Sequence, residues 1–201
     1  GHGFPKNVEE GIRLIRLSAG KGEGAAVLTL GLIYRNGLGV PQDYKEAIKW
    51  LRISAEQDKN VKAQFDLGVM FYEGQGVPQD YKEAVKWFRL SAGQGSADAQ
   101  FNLGLMYAKG RGVLKNNKEA VKWFRLSAEQ GNGASQDNLG LMYAKGEGVL
   151  QDYALAHMWW NISGSIGDKN AVKNRDIVEK EMTPSEIEEA QKMARNWKPK
   201  K

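Results

Sequence analysis

The chain has 201 residues, of which 41% are hydrophobic and 26% charged, a balance that predicts an ordered globular protein rather than a disordered one. It contains no cysteine, which excludes disulfides, thiolate nucleophiles and cysteine-ligated zinc, and no apolar run approaches the roughly 20 residues that a membrane-spanning helix needs. The net charge is +5, but four cations stand in the last seven residues, so a broad phosphate-binding surface is not expected on the rest of the chain.

The first 22 residues precede the repeated part of the chain. Residues 1–7 form an N-terminal segment whose opening, Gly1-His2-Gly3, is typical of the remnant of a cleaved expression tag. Residues 8–22 are predicted to form a lone helix that caps the array, with Leu14 at the place that tryptophan takes in the later helices.

Four repeats follow, and we predict that they occupy residues 23–58, 59–95, 96–131 and 132–167. Tryptophan recurs at intervals of 37, 36 and 36 residues, at Trp50, Trp87, Trp123 and Trp159. Pairs of Leu-Gly and Gly-Val keep the same intervals. A period of this length is typical of helix-pair solenoids, in which each hairpin buries its apolar side against a neighbour.

Each repeat is predicted to fold as two helices. The first helix of the third repeat should span Ala97–Lys109, and Gly110 and Gly112 then permit the positive φ of a tight turn. The second helices are predicted to begin at polar caps, which stand at Asp43, Asp80, Asn116 and Asp152. They are predicted to end at C′ glycines, namely Gly22, Gly95, Gly131 and Gly167, with Asp58 at this place in the longer repeat.

The glycine of each Leu-Gly pair is predicted to let the two helices of a hairpin approach closely, with tryptophan filling the space beside it. These glycines are Gly31, Gly68, Gly104 and Gly140. Residues 168–201 are predicted to form capping helices and a basic tail, with one helix over 170–181. Thr183, Pro184 and Glu186 then supply an N-cap, a proline at N1 and a capping-box glutamate for a last helix.

The residues from Ala99 to Trp123 follow the pattern Ala-x-x-x-Leu-Gly-x-x-Tyr-x-x-Gly-x-Gly-Val-x-x-Asn-x-x-x-Ala-x-x-Trp. This pattern, with Asp in place of Asn in the other repeats, resembles the Sel-1-like repeat (SLR) family, a relative of the tetratricopeptide repeats. The resemblance covers residues 8 to about 167, and Phe71 and Gly164 are its departures from the usual Tyr and Ala. It implies an all-α fold, a right-handed α/α superhelix built as a solenoid of stacked helix-turn-helix repeats.

No constellation for catalysis or metal binding stands out. His157 aligns with apolar residues of the other repeats, which favours a packed, hydrogen-bonded histidine over a catalytic or metal-ligating one. Without cysteine or a second histidine beyond the N-terminal segment, no Ser-His-Asp or histidine-based zinc site can be assembled. The aspartates in register are explained by helix capping. We therefore expect no enzyme activity, no cofactor and no metal.

Two surfaces remain as candidates for binding. Lysine and arginine recur along the second helices, as in Lys49, Lys86 and Lys122, and their glutamate neighbours favour a solvated face over a nucleic-acid site. On the first helices, the residues outside the core differ between repeats and are expected to line a concave, partner-binding surface. They are Leu28, Leu32, Arg35, Phe65, Val69, Tyr72, Phe101, Leu105, Asp137 and Leu141. Partial burial against the neighbouring repeat is the alternative explanation.

The sequence therefore favours a scaffold or adaptor that binds a protein or peptide partner as a monomer, without nucleic acid or a membrane span. The family resemblance implies the same, because SLR proteins serve mainly in protein–protein interaction, and many bacterial members are exported. One alternative is a small-ligand-binding or hydrolytic protein, since some cysteine-rich secreted relatives have been linked to β-lactam binding. A nucleic-acid binder is a further alternative, which rests only on the basic residues.

Overall fold

The computed structural model describes residues 6–200, which form eleven α-helices, one short 3-10 helix at Glu179–Glu181 and no β-strand. The α-helices are α1 Lys6–Gly20, α2 Gly24–Asn36, α3 Tyr44–Gln57, α4 Val61–Glu73, α5 Tyr81–Gly93, α6 Ala97–Lys109, α7 Asn117–Glu129, α8 Gly133–Lys145, α9 Tyr153–Ser165, α10 Lys169–Val178 and α11 Pro184–Asn196. The predicted tag remnant at Gly1-His2-Gly3 lies outside the described residues. The all-α fold of helical hairpins is confirmed.

The chain divides into two compact units, the first ending at Gln94 and the second beginning at Gly95. In the first unit, α1 packs on α2, and the hairpins α2–α3 and α4–α5 stack through α3 and α4. In the second unit, the hairpins α6–α7 and α8–α9 stack through α7 and α8, and both α10 and α11 pack on α9. We refer to α2, α4, α6 and α8 as the A helices and to α3, α5, α7 and α9 as the B helices.

Each B helix begins at the predicted polar cap. The carboxylate of Asp80, for example, accepts hydrogen bonds from the backbone N–H groups of Lys82 and Glu83 at 2.9 and 3.0 Å. These bonds satisfy donors that have no partner within the first turn of a helix. At the start of the α6–α7 turn, Gly110 caps α6 with φ 66°, and its N–H donates to the carbonyl of Met106. The predicted A-to-B turn is confirmed at both ends.

The junction between the first two hairpins differs from the prediction. Asp58 was expected at the C′ place, but its backbone is right-handed (φ −88°), and Lys59 holds the left-handed conformation with φ 52°. Asn60 caps α4, so the residue just before that cap must reverse the chain. Because this junction contains one extra residue, the reversal falls on Lys59, where the other junctions have glycine.

The glycines inside the A helices do mark a close helix–helix approach, but the residue opposite them is not the repeated tryptophan. A Cβ added to Gly68 would lie 2.6 Å from the ring of Phe88, and one added to Gly104 would lie 2.7 Å from the ring of Phe124. The equivalent partners of Gly31 and Gly140 are Leu51 and Trp160. In every hairpin the partner is thus the residue that follows the tryptophan, because one helical position turns a side chain by about 100°.

Serine side chains fasten the two helices of a hairpin together. Ser91 near the end of α5 donates to the carbonyl oxygen of Val61 at the start of α4, at 2.9 Å. Ser127 and Ser163 make the same bond in the second unit, to Ala97 and Gly133. Buried glutamines connect successive hairpins within a unit instead: the Nε2 group of Gln64 on α4 donates to the carbonyl oxygen of Ala55 on α3, at 3.1 Å.

The C-terminal helices cover the last B helix. Thr183 and Glu186 form the predicted capping box at the start of α11, with Pro184 at its first position. Met158 on α9, which stands where the preceding B helices carry lysine, is only 8% exposed. After α11, Trp197 packs edge-on against Trp159 with a centroid separation of 6.1 Å. Both C-terminal helices thus pack over the last B helix.

Candidate protein-interaction surface

The predicted partner-binding residues, which we call the A face, all lie on A helices. They are Leu28, Leu32 and Arg35 on α2; Phe65, Val69 and Tyr72 on α4; Phe101 and Leu105 on α6; and Asp137 and Leu141 on α8. Leu141 is 38% exposed, and the other nine are half-buried. The A face therefore offers partial apolar surface, and the contacts of each residue decide how much of it is available.

Aromatic residues of the A face pack in part against the B helix of their own hairpin. Phe65 stacks at a tilt on Phe88 with a centroid separation of 5.9 Å, and Phe101 lies 6.1 Å from Phe124 in the same way. Tyr72 lies 5.3 Å from Tyr81, the first residue of α5. One side of each ring is thus used for packing, as partial burial against a neighbouring helix predicts, and all three residues are half-buried.

Arg35 is held in an ion pair. Its Nη1 lies 2.6 Å from Oδ1 of Asp66, a carboxylate that is 1% exposed, and Lys62 Nζ lies 3.5 Å from the second oxygen. An arginine removed from such a buried carboxylate leaves an uncompensated charge, so this pair joins α2 to α4. Arg35 is therefore a structural residue at the edge of the surface, and the sequence did not show its partner.

Asp137 is also engaged within the fold. Its backbone carbonyl accepts a hydrogen bond from Nε1 of Trp160 at 3.2 Å, and its carboxylate accepts one from Asn174 on α10 at 3.4 Å. Burial raises the pKa of the Asp137 carboxyl, and the nearby charge of Asp168 raises it further. Because Trp160 belongs to α9 and Asn174 to α10, these two hydrogen bonds connect α8 to both helices.

Leu141 borders a small cleft in the second unit. The cleft has a volume of about 250 Å³ and is lined by residues of α8, α9, α10 and the 3-10 helix, including Ala144, Trp160 and Ile177. Ile177 is 62% exposed. An apolar side chain from a partner would remove both Leu141 and Ile177 from water.

The cationic residues of the B helices are paired with glutamates of the preceding turn. Lys86 Nζ lies 3.0 Å from Glu83, and Lys122 Nζ lies 3.9 Å from Glu119. Lys49 pairs with Glu46 in the same way. Such i,i+3 pairs are typical of a solvated helix surface, and they leave less uncompensated charge for binding phosphate.

His157 is fully buried and hydrogen-bonded, as predicted. Its Nε2 lies 2.7 Å from Oε1 of Glu179, which joins α9 to the 3-10 helix. Over residues 6–200, no group of three or more histidine and carboxylate side chains has the arrangement that could hold a metal ion. In the same range, no helix combines the length and the apolar character needed to cross a bilayer.

Two features escaped the sequence analysis. Gln64, Gln100 and Gln136 recur every 36 residues, and all three are buried. Their regular spacing at an otherwise apolar face was the available signal. The second feature is the docking of the C-terminal residues on α7: the Lys200 N–H donates to the carbonyl of Glu129 at 2.7 Å. No local pattern could reveal that contact.

Comparison with known proteins matches these hairpins to one family model, the Sel1 repeat, over residues 25–59, 61–96, 97–132 and 133–168. The protective antigen c5321 of uropathogenic Escherichia coli, which displays an SLR fold, is 35% identical with a TM-score of 0.82. That similarity covers 92% of this chain but 40% of the antigen, so this chain spans less than half of that protein's length.

A Sel1 repeat protein from Oxalobacter formigenes is 33% identical with a TM-score of 0.79, over 96% of this chain and 81% of that one. The cysteine-rich protein B of Helicobacter pylori, at 23% identity and a TM-score of 0.50, covers 65% of this chain and 92% of its own and shares the fold alone. No curated protein matches the chain. The four matched repeats and the two more similar structures show that the chain belongs to the Sel1 repeat family.

Proposed function

We propose that the chain is a protein-interaction scaffold that binds a protein or peptide partner through the A face. Sel1 repeat proteins are generally protein-interaction scaffolds, and their solenoid fold is typically non-enzymatic. The binding contacts would centre on Phe65, Val69 and Tyr72 in the first unit and on Phe101 and Leu105 in the second. Arg35 and Asp137 would contribute less to binding, because their side chains are engaged within the fold.

Tyr72 is the observation that carries this proposal. Its place in the repeat is taken by Ala108 and Ala144 in the second unit, so the fold does not require an aromatic ring there. The ring is half-buried rather than enclosed. Aromatic side chains of this kind commonly dominate protein–protein interfaces, because they bury a large area at a small cost in side-chain entropy.

A scaffold without catalysis is also the simplest account of the ionisable groups. His157, the one histidine among residues 6–200, is enclosed and bonded to Glu179. The aspartates in register cap B helices, as Asp80 does. We propose no small-ligand chemistry for the chain on this basis.

The test uses the intact chain as bait in an extract of the source cells, with mass spectrometry of the captured proteins. A partner retained by the wild type should be lost or weakened about 30-fold by Tyr72→Ala, the effect of removing a 2 kcal/mol contact. Leu105→Asp should weaken binding in the same way. Circular dichroism should show melting temperatures close to that of the wild type.

Lys45→Ala, on the exposed side of α3, is the matched control and should bind like the wild type. If Tyr72→Ala and Leu105→Asp both retain the partner while Lys45→Ala loses it, binding runs through the B helices and the A-face proposal is wrong.

A further inference from the structure

A groove lies between two B helices of the first unit, α3 and α5. It has a volume of about 490 Å³, and its lining includes Glu56, Lys59, Gln64, Trp87, Leu90 and Gln94. Trp87 is 2% exposed, and its Nε1 has no hydrogen-bond partner among the described residues. Leu90 is 45% exposed. The groove therefore offers an apolar surface beside a buried donor that lacks an acceptor, which is costly unless a ligand supplies one.

The second unit contains the equivalent groove between α7 and α9. Glu129 follows Trp123 by six residues, as Glu56 follows Trp50. Gln136 and Ile162 take the places of Gln64 and Leu90 and line this groove too. At equivalent places of the repeat, each groove therefore has a glutamate, a glutamine and an apolar residue.

The groove of the second unit is bordered by the chain's own C-terminal residues. We call Trp197–Lys200 the C-terminal segment, and Trp197 and Pro199 line the groove. Trp197 packs on Trp159, which is the equivalent of Trp87. The segment leaves α11 in an extended conformation, with φ −69° and ψ 140° at Trp197.

The far end of the C-terminal segment is fixed by charge. The Nζ of Lys200 lies 2.8 Å from the carboxylate of Glu129, and the Lys200 N–H donates to the carbonyl of the same residue at 2.7 Å. Pro199 lies close to Gly131. The C-terminal segment is thus held on α9 by Trp197 and on α7 by Lys200, three residues later.

We propose that the α3–α5 groove binds an extended segment of a partner protein with this same chemistry, an aromatic side chain followed three residues later by a lysine or arginine. The aromatic ring would lie on Leu90, which is exposed and lines the groove beside Trp87, and the cation would pair with Glu56. Within residues 6–200, no cation lies within ion-pairing distance of Glu56. Lys86, which also lines the groove, is paired with Glu83, and its Nζ lies 5.2 Å from the centroid of the Trp87 ring.

The α3–α5 groove differs from the α7–α9 groove at one backbone position. Lys59 stands at the left-handed position that Gly131 holds in the second unit. Lys59 lines the α3–α5 groove, and we do not carry the proline contact over to it. The aromatic and cationic anchors lie on other residues and are unaffected.

The occupant is a partner protein rather than a second copy of this chain. The C-terminal segment of each copy already spends Trp197 on Trp159 and Lys200 on Glu129, and those contacts would have to break before it could enter another molecule. This groove uses B helices, so the inference goes beyond the proposed function of the A face.

The test measures fluorescence anisotropy of a labelled peptide that copies residues 194–201, titrated with the intact chain. Saturable binding is expected, and Glu56→Lys should weaken it roughly tenfold, the loss of one charge-assisted hydrogen bond. A peptide carrying Lys200→Glu should bind the wild type weakly and regain affinity for Glu56→Lys. Leu90→Asp is a second variant, at an exposed residue, that should also weaken binding.

Glu9→Lys, an equal change of charge on the exposed surface of α1, should bind like the wild type. Tyr72→Ala should do so as well, which separates this result from the test of the A face. The proposal is overturned if the peptide does not saturate, or if Glu9→Lys weakens it as much as Glu56→Lys. It is also overturned if only Glu129→Lys abolishes binding, since the peptide has then replaced the C-terminal segment. Sedimentation that shows a dimer lost in Glu56→Lys would overturn the assignment to a partner protein.

Discussion

The serine near the end of each B helix donates a hydrogen bond to the A helix of its own hairpin in three hairpins but not in the first. Ser91 bonds to Val61, whereas the hydroxyl of Ser54 is buried without a partner among the described residues. Both serines are 0% exposed. Two residues in the same place of the repeat thus differ only in whether the buried hydroxyl is satisfied.

Replacing these serines should separate the two situations. Ser91→Ala should lower the free energy of unfolding by about 1 kcal/mol, because a buried hydrogen bond is lost. Ser54→Ala should leave it unchanged or raise it slightly, because an unsatisfied polar group is removed from the core. Urea unfolding followed by circular dichroism measures both, and an equal loss in the two variants would show that the hydrogen bond contributes nothing.

Asp137 gives stability a pH dependence of known sign. The pKa of the Asp137 carboxyl is raised in the folded chain, so the protonated carboxyl favours folding over the ionised one. Its contribution to the free energy of unfolding is fully present below the unfolded pKa of about 3.9 and is lost as the pH rises through the folded pKa. Asp137→Asn should therefore melt at a higher temperature than the wild type at pH 7. The difference should shrink as the pH falls toward 4.

Glu188→Gln, an equal change of charge on the exposed side of α11, is the control for Asp137→Asn. It should show no such difference between pH 7 and pH 4. A melting temperature for Asp137→Asn below that of the wild type at pH 7 would mean that the hydrogen bond from Asn174 outweighs the cost of burying the charge.

At the scale of helices, the glycine inside each A helix should be irreplaceable although alanine forms helices better. A Cβ at Gly104 would meet the ring of Phe124, which is 1% exposed and cannot move aside. Gly104→Ala should cost about 1–3 kcal/mol, the range for overpacking a core. Gly93→Ala is the matched control, because nothing lies within 4 Å of the added atom, and it should stabilise by up to about 1 kcal/mol. Denaturant unfolding that finds Gly104→Ala neutral would refute the close-contact role.

The helices were predictable because their ends are encoded locally. The expected span Ala97–Lys109 is the observed α6, and the caps at Asp80 and Thr183 bond as expected. Local patterns identify a cap within four residues, and they identify a repeat by its period. The registers of the repeats and the helical hairpins followed from such patterns.

The contacts between helices were less predictable, since they depend on rotation about each helix axis. Tryptophan was expected beside the A-helix glycines, but the next residue occupies that space, one helical position away. The Arg35–Asp66 pair and the placement of Lys200 on Glu129 join residues 31 and 71 positions apart, beyond the reach of any local pattern. Sequence patterns could therefore assign the candidate residues to the A helices. They could not predict that Arg35 pairs with Asp66 or that Asp137 bonds to Asn174.

At the scale of the molecule, the excess positive charge is distributed in a way that disfavours nucleic-acid binding. Each of Lys49, Lys86 and Lys122 is paired with a glutamate of its own helix. Lys200, among the terminal cations, is paired with Glu129. These four cations are thus less available to release counterions from a phosphate backbone.

Replacing Lys49, Lys86 and Lys122 together by glutamine should leave any affinity for duplex or single-stranded DNA weak and unchanged at physiological salt. The slope of log affinity against log salt should change by less than one. A slope smaller by about three would show that all three lysines contact phosphate. Glutamine at Lys21, Lys109 and Lys145, which are exposed and lie off the B helices, controls for the change in net charge.

The A-to-B turns of the second unit each carry a leucine that projects into water, Leu114 at 91% exposure and Leu150 at 90%. They hold the same place in successive repeats, and neither packs into the core. Since the chain has no cysteine, a thiol at each of these two positions would be the only pair available for spin labels. The distance between such labels would measure the spacing of the two hairpins of the second unit. The width of the distance distribution would report how much that spacing varies in solution.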